Sequence, residues 1–338
     1  MASLDKRPII RSEIIRSPAL FLKEIEVVED TDSRGRRFSG THVKALVMPF
    51  LYWLVRHAPI PFTLAPLQLA AGLMRLLYRW PGNPLRLSCE AVCRVAERAG
   101  CRHQPEQLYR QFLANILAMA ENYCRLYRHG IDSVLDGIML TPQDTGMMLN
   151  LIRDHGGAVL AVPHNLGSAF SSLKLNRAFP MLLVAKNSPT IARTKAALDF
   201  FERMEVSILM VRGGSPFELS RALFAALRSG KVVAATLDNL DLAENRIVVS
   251  MFGQPVGLAP WAAKIAARLQ VPVVPSYFRC RGGRISVAFG EPIVTDDAQT
   301  AVQHYAEFFA RNILEDPASW AYLADRKWRR LLRQAGAG

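Results

Sequence analysis

The stretch Ala158–Ala169, AVLAVPHNLGSA, decides how this 338-residue chain is read. Ala158 to Val162 form an uncharged apolar run, entered through Gly156-Gly157 and closed by Pro163. A run that short, bounded by turn residues, predicts a buried strand. His164 then falls at the strand's carboxyl end, Asn165 to Ser168 make a turn, and a helix is expected from Gly167 to Phe179, ahead of Pro180. In open α/β sheets ligands collect outside the carboxyl ends of strands, where loops and helix N-termini present unpaired donors. His164 is therefore a candidate general base, or else a loop histidine that caps a helix or bonds to backbone.

Working outward, the same alternation continues on both sides. Upstream, Thr141-Pro142-Gln143-Asp144 places a capping threonine before a proline at the first helical position and an acid three residues past the cap, so a helix is expected from Pro142 to about Asp154. Leu85–Ala99 and Pro105–Tyr127 read as amphipathic helices, the second with Leu108, Phe112, Ile116, Met119, Tyr123 and Tyr127 at helical spacing. Downstream, apolar runs at Met181–Ala185, Val206–Val211, Val232–Leu237, Ile247–Phe252, Val271–Phe278 and Ile285–Phe289 predict strands. Helical stretches are expected near Pro189–Arg203, Pro216–Arg228 and Ala259–Arg268, and Ser215-Pro216-Phe217-Glu218 repeats the capping pattern. Strands separated by helices imply an α/β fold with a mostly parallel central sheet, preceded by a helical, membrane-associating region. The expected organisation is a partly ordered extension over 1–43, a helical region over 44–140 and an α/β core over 141–338, with 44–338 forming one structural unit.

The formal net charge is +13 while half of the residues are hydrophobic, a pairing that suggests an anionic membrane surface as partner. Nucleic acid is the other usual partner of a basic chain, but no named binding motif is present and none is expected to bind. The five cysteines form no C-x-x-C pair and no zinc spacing, which fits a reducing compartment; neither metal nor cofactor is expected. The N-terminal residues lack the continuous apolar core of a signal peptide, so export is not expected. Ala45–Val55 and Ala58–Met74 are uncharged, but the second is interrupted by Pro59, Pro61 and Pro66, and a spanning helix takes about 20 apolar residues. An interfacial or re-entrant hairpin is the expectation, with a buried helical pair as the alternative. The segment Asp325-Arg-Lys-Trp-Arg-Arg-Leu-Leu-Arg gathers five cations around an indole, suited either to lipid phosphate or to a solvated helix face.

Several blocks in order carry a resemblance: the strand and His164 turn, Leu227-Arg-Ser-Gly-Lys-Val-Val running on to Asp238, Met251-Phe-Gly-Gln-Pro, Gly257 with Ala262-Ala263, and Val271-Pro-Val-Val-Pro275. Asn83-Pro-Leu-Arg-Leu-Ser lies upstream of them, and Trp320 with Arg326-Lys-Trp-Arg-Arg follows. Together, over roughly residues 45–335, they resemble the late acyltransferases of lipid A biosynthesis, within the lysophospholipid acyltransferase superfamily. The resemblance implies transfer of a fatty acyl group from an acyl carrier protein or another thioester such as acyl-CoA to a hydroxyl of a membrane lipid, glycolipid or lipid-like acceptor. It places that reaction at the cytoplasmic face of the bacterial inner membrane.

The family signature is a histidine, four residues, then Asp or Glu, the carboxylate fixing the imidazole tautomer and stabilising its charged form. Here Ala169 stands where the acid belongs. Three readings stay open: another acid orients His164, His164 acts alone, or catalysis is lost and only lipid binding remains. Asp238, at the end of a predicted strand, is the chosen substitute, with Asp241 and Glu244 next and a strand-end turn as its other reading. Lys186 matches the family's basic position for phosphate or donor, with Arg203 and Arg212 as further cations. Backbone N–H groups at Gly167 and Ser168, in the turn begun by Asn165, are the expected substrate and oxyanion contacts.

Overall fold

The computed structural model describes residues 19–21, 53–55, 57–186, 200–201, 203–211 and 216–336. In chain order its elements begin with β1 (Ala19–Phe21), α1 (Ile60–Leu76), α2 (Pro84–Arg98), α3 (Pro105–His129), the short α4 (Asp132–Leu135) and β2 (Ile138–Met139). Then come α5 (Pro142–His155), β3 (Ala158–Val162), α6 (Ser168–Ala178), β4 (Met181–Lys186), β5 (Ile208–Val211), α7 (Pro216–Arg228) and β6 (Val232–Thr236). The chain continues through β7 (Ile247–Met251), β8 (Gln254–Leu258), α8 (Trp261–Leu269), β9 (Val273–Arg281), β10 (Arg284–Phe289), α9 (Ala298–Glu315) and α10 (Arg326–Ala335).

The main sheet runs β1-β5-β4-β6-β3-β9-β10-β2. It is parallel from β1 to β9, while β10 returns antiparallel along β9 and β2 pairs parallel with β10. The opening stretch is a strand as expected, and it lies between β6 and β9 with all five residues buried. Alternation along it divides the core. Val159 and Ala161 face a cluster that includes Leu223, Ala263 and Phe309, whereas Leu160 and Val162 face Phe170, Leu173 and Phe278. Helices thus cover both faces of the sheet, with α7, α8 and α9 on one side and α6 on the other.

Local sequence explains the entry into β3. Gly156 ends α5 at φ 75°, the left-handed conformation glycine adopts without strain. At Gly157 a Cβ would lie 2.6 Å from the Leu227 carbonyl oxygen, so the end of α7 backs directly onto the strand.

Two expectations are corrected. Ile247–Met251 is a strand, but it pairs only with β8, in a hairpin separate from the main sheet. Phe252 and Gly253 turn that hairpin at φ 58° and 73°, the signs of a type I′ turn. The prolines do not interrupt the second apolar run. Pro61 falls in the first turn of α1, where an N–H has no intrahelical partner, and the helix continues past Pro66. Within residues 1–43, Ala19–Phe21 add a strand to the sheet edge beside β5. The rest of that region, most of the 45–55 run, most of the expected helix near 189–203, Arg212 and the Ser215 cap lie outside the described residues.

Candidate active site

The register of β3 on β6 builds the site. Val162 pairs with Thr236, so the residues two places beyond each, His164 and Asp238, emerge side by side at the carboxyl ends of adjacent strands. Leu237 N–H extends the ladder by donating to Val162 O at 2.9 Å. His164 Nδ1 is hydrogen-bonded to Asp238 Oδ1 across 74 residues of sequence. With Nδ1–H donating to the carboxylate, Nε2 is left as the basic nitrogen, the tautomer a general base requires.

Asp238 is wholly buried, and a buried carboxylate needs compensating donors. Its second oxygen accepts from Trp320 Nε1 at 2.8 Å, so both oxygens are satisfied. Trp320 is itself buried against Trp328 and Phe252, at ring-centroid distances of 5.2 and 6.1 Å. The indole of Trp328 is therefore core packing, and the cations that flank it in sequence form the solvated helix face. Arg326, Lys327, Arg330 and Arg333 are exposed on the outer face of α10.

The segment carrying Trp320 also grips the histidine turn. Ala321 N–H donates to His164 O at 2.7 Å and Leu166 N–H to Ser319 O at 2.9 Å. Tyr322 stacks on the imidazole, and its hydroxyl donates to Asn239 Oδ1 at 2.6 Å. Burial, with the Asp238 carboxylate adding, pushes the Tyr322 phenol above its ordinary value, so it stays neutral at physiological pH.

His164 and Tyr322 stand at one end of a cavity of about 820 Å³. Its walls are mainly apolar, with Leu160, Leu175, Met181, Leu183, Ala234 and Phe278 along the sheet and α6. From the level of Met181, which shares its sheet row with Ala158, to that of His164, the strands rise six residues, about 20 Å. Size and lining fit an extended hydrocarbon chain ending beside His164. Ala169 and Ser168 form part of the wall close to His164.

The other sequence-derived residues divide. Ser168 lines the cavity, at the start of α6, although its N–H already meets Asn165 O at 3.2 Å. Gly167 packs elsewhere: a Cβ there would lie 2.9 Å from Cys280 Sγ. Asn165 is buried and spends its side chain on backbone, accepting from Phe278 N at 3.2 Å and donating to Ser319 O at 3.4 Å, so it orders the turn. Arg203 lies over the Tyr127 ring, 5.4 Å from its centroid, and is not among the cavity walls. Lys186 ends β4 next to the cavity residue Ala185; its side chain lies outside the described residues. Asp241 turns back to Ala243 N at 3.0 Å and Glu244 is exposed; neither bonds to His164.

Burial pushes the Cys280 thiol up to about 12 and the Cys93 thiol up to about 11, so neither supplies a thiolate nucleophile at neutral pH. Among the described residues no group of His, Cys, Asp and Glu is placed to hold a metal ion. Sequence reasoning missed Tyr322 and Asn239, and it quoted Trp320 only as part of a resemblance. Two aromatic residues one apart, after Pro317 and outside any periodic stretch, were the available signal.

The family model for bacterial lipid A biosynthesis acyltransferases matches residues 148–330, from within α5 into α10, and so takes in His164, Asp238, Trp320 and Tyr322. Phosphatidylinositol mannoside acyltransferase of Mycobacterium tuberculosis, from strains CDC 1551 / Oshkosh and ATCC 25618 / H37Rv, is 28% identical over 172 residues. That alignment covers 49% of this chain and 53% of the relative, so the chain spans about half the length of the curated relatives it matches. With the match extending over more than half of its residues and across the whole site, the chain belongs to the bacterial lipid A biosynthesis acyltransferase family.

Proposed function

We propose that this protein is an acyltransferase that moves a fatty acyl group from a thioester, carried by an acyl carrier protein or coenzyme A, to a hydroxyl of a lipid, glycolipid or lipid-like acceptor. The observation that carries this reading is the His164–Asp238 pair at the end of a long apolar cavity. His164 Nε2 takes the acceptor's hydroxyl proton as the oxygen attacks the thioester carbonyl carbon. The carbon–sulfur bond breaks, and the proton held on Nε2 passes to the departing sulfur. Asp238 keeps Nδ1 protonated and stabilises the transient imidazolium. Ser168, on the cavity wall at the start of α6, lies against the acyl substrate. Lys186, at the carboxyl end of β4, is the cation we assign to an acceptor phosphate.

We propose that the reaction takes place at the cytoplasmic face of the inner membrane. α1 with the 3₁₀ turn after it forms a helix from Ile60 to Arg79, long and apolar enough to cross a bilayer, and only 11% of its most apolar window is buried. Phe62, Leu69, Leu73 and Leu76 recur at helical spacing, each more than half exposed. α10 adds a basin of about 450 Å³ lined by Arg326, Arg329, Arg330, Arg333 and Gln334. Arg329 Nη1 donates to Pro84 O at 3.2 Å, which brings this basin beside the Trp80 corner where the apolar helix ends. Apolar stripe and cations together suit an anionic lipid surface. Residues 44–140 thus serve as membrane-associating region and 141–338 as acyl-transfer core.

The test is acyl transfer from lauroyl-acyl carrier protein to a total lipid extract, with products read by mass spectrometry. Wild type is expected to yield an acylated lipid, and His164→Ala to lose about 10²–10⁴ in rate with its melting temperature kept. Full activity in the alanine variant sinks the mechanism. A wild type that retains bound lipid yet transfers nothing identifies a lipid-binding protein that has lost turnover, the reading Ala169 favours.

A further inference from the structure

The imidazole of His164 is held by more than its acid. The Tyr322 ring lies nearly parallel to it, with centroids 4.1 Å apart and planes inclined by 23°. The phenol oxygen sits 3.1 Å from Nε2, but its one proton is directed to Asn239 Oδ1 at 2.6 Å. A ring stacked at that angle covers one face of the imidazole. Trp320 and Tyr322 bracket one step of a 3₁₀ turn and grip consecutive residues, Trp320 holding Asp238 and Tyr322 holding Asn239. One brace therefore sets both the acid and the ring against the base.

An aromatic face attracts a cation far more than a neutral ring. His164 is neutral before the reaction and cationic once it has taken the acceptor's proton, so the attraction grows along the reaction coordinate. Interactions that strengthen in the transition state raise turnover without tightening substrate binding. We infer that Tyr322 is a positioning residue for acyl transfer, its ring face orienting the His164 imidazole and favouring its protonated form. The inference rests on the reading of His164 as the base.

The experiment compares full-length Tyr322→Phe and Tyr322→Leu with wild type. Turnover is read as thiol release from lauroyl-coenzyme A over vesicles of total lipid extract. The leucine variant is expected to lose about twofold to thirtyfold in kcat, with KM for lauroyl-coenzyme A unchanged, and the phenylalanine variant to keep most of the activity. In parallel, proton NMR of histidine-labelled protein follows exchange of the low-field Nδ1–H of His164 with solvent. Exchange is expected to be at least several-fold faster in Tyr322→Leu than in wild type, and near wild type in Tyr322→Phe. Full kcat in the leucine variant, or an equal loss in both variants, overturns the assignment. If lauroyl-coenzyme A is not turned over, the NMR result decides: equal exchange in all three proteins overturns it. An active His164→Ala variant is a different failure, that of the base itself.

Discussion

At the scale of single residues, the carboxylate bonded to His164 comes from a neighbouring strand. Asp238→Asn keeps the shape of the site but removes the charge that offsets the imidazolium, so a loss of about 10²–10⁴ in kcat is expected. Asp241→Asn and Glu244→Gln, which bond elsewhere or nowhere near His164, are expected to stay within twofold of wild type, roughly the spread of a surface substitution. Ala169→Glu is expected to give no gain, because Asp238 already serves Nδ1 and a second acid adds like-charge repulsion. Parallel kinetics of the four variants check this, and recovery of an inactive Asp238→Asn by Ala169→Glu would show that either position can hold the acid. Both partners were legible in the sequence for a physical reason: each follows a short apolar run, and strand ends are where function collects. Their contact was not, since pairing of β3 with β6 is non-local. Tyr322 left only a faint mark, an aromatic residue two places after Trp320, because its contact with His164 is a stack that no spacing encodes.

At the scale of elements, the strands and most helices followed from period and punctuation. What sequence reading missed was α9, whose cap Asp297 accepts from Gln299 and Thr300 N–H, and the separation of β7 and β8 from the main sheet. A short apolar run looks the same in a central sheet and in a satellite hairpin. The continuity of α1 through Pro66 was likewise hidden, since a proline costs one backbone bond and exposed apolar turns on either side can outlast that loss. The stripe on α1 and the arginine face of α10 make the membrane prediction specific. Flotation with anionic vesicles is expected to retain the wild type, and high salt to release only part of it, each nearby cation contributing about 1 kcal/mol. Leu69→Glu with Leu73→Glu is expected to shift most of the protein to the soluble fraction. Complete release by salt alone would assign binding to the cations and leave the helix out.

For the molecule as a whole, the site is closed by segments far apart in the chain. His164 and Tyr322 are 158 residues apart, and Trp320 joins Asp238 to a buried group formed with Trp328 of α10 and Phe252 of the hairpin. A chain stopped after Asp316 keeps every strand of the sheet yet loses Trp320, Tyr322 and α10. It is expected to be inactive and to melt well below the full chain, which activity and circular dichroism would check; native stability and turnover in that truncation would refute the brace. Within the family pattern, one turn of helix carries both the partner of the base and part of the cavity wall, so selection on either disturbs the other. Here Ala169 is only wall. On the proposed mechanism, proton transfer and acyl accommodation are separately evolvable: the bore is free to widen or narrow at 169 while the electrostatics of His164 are kept on another strand.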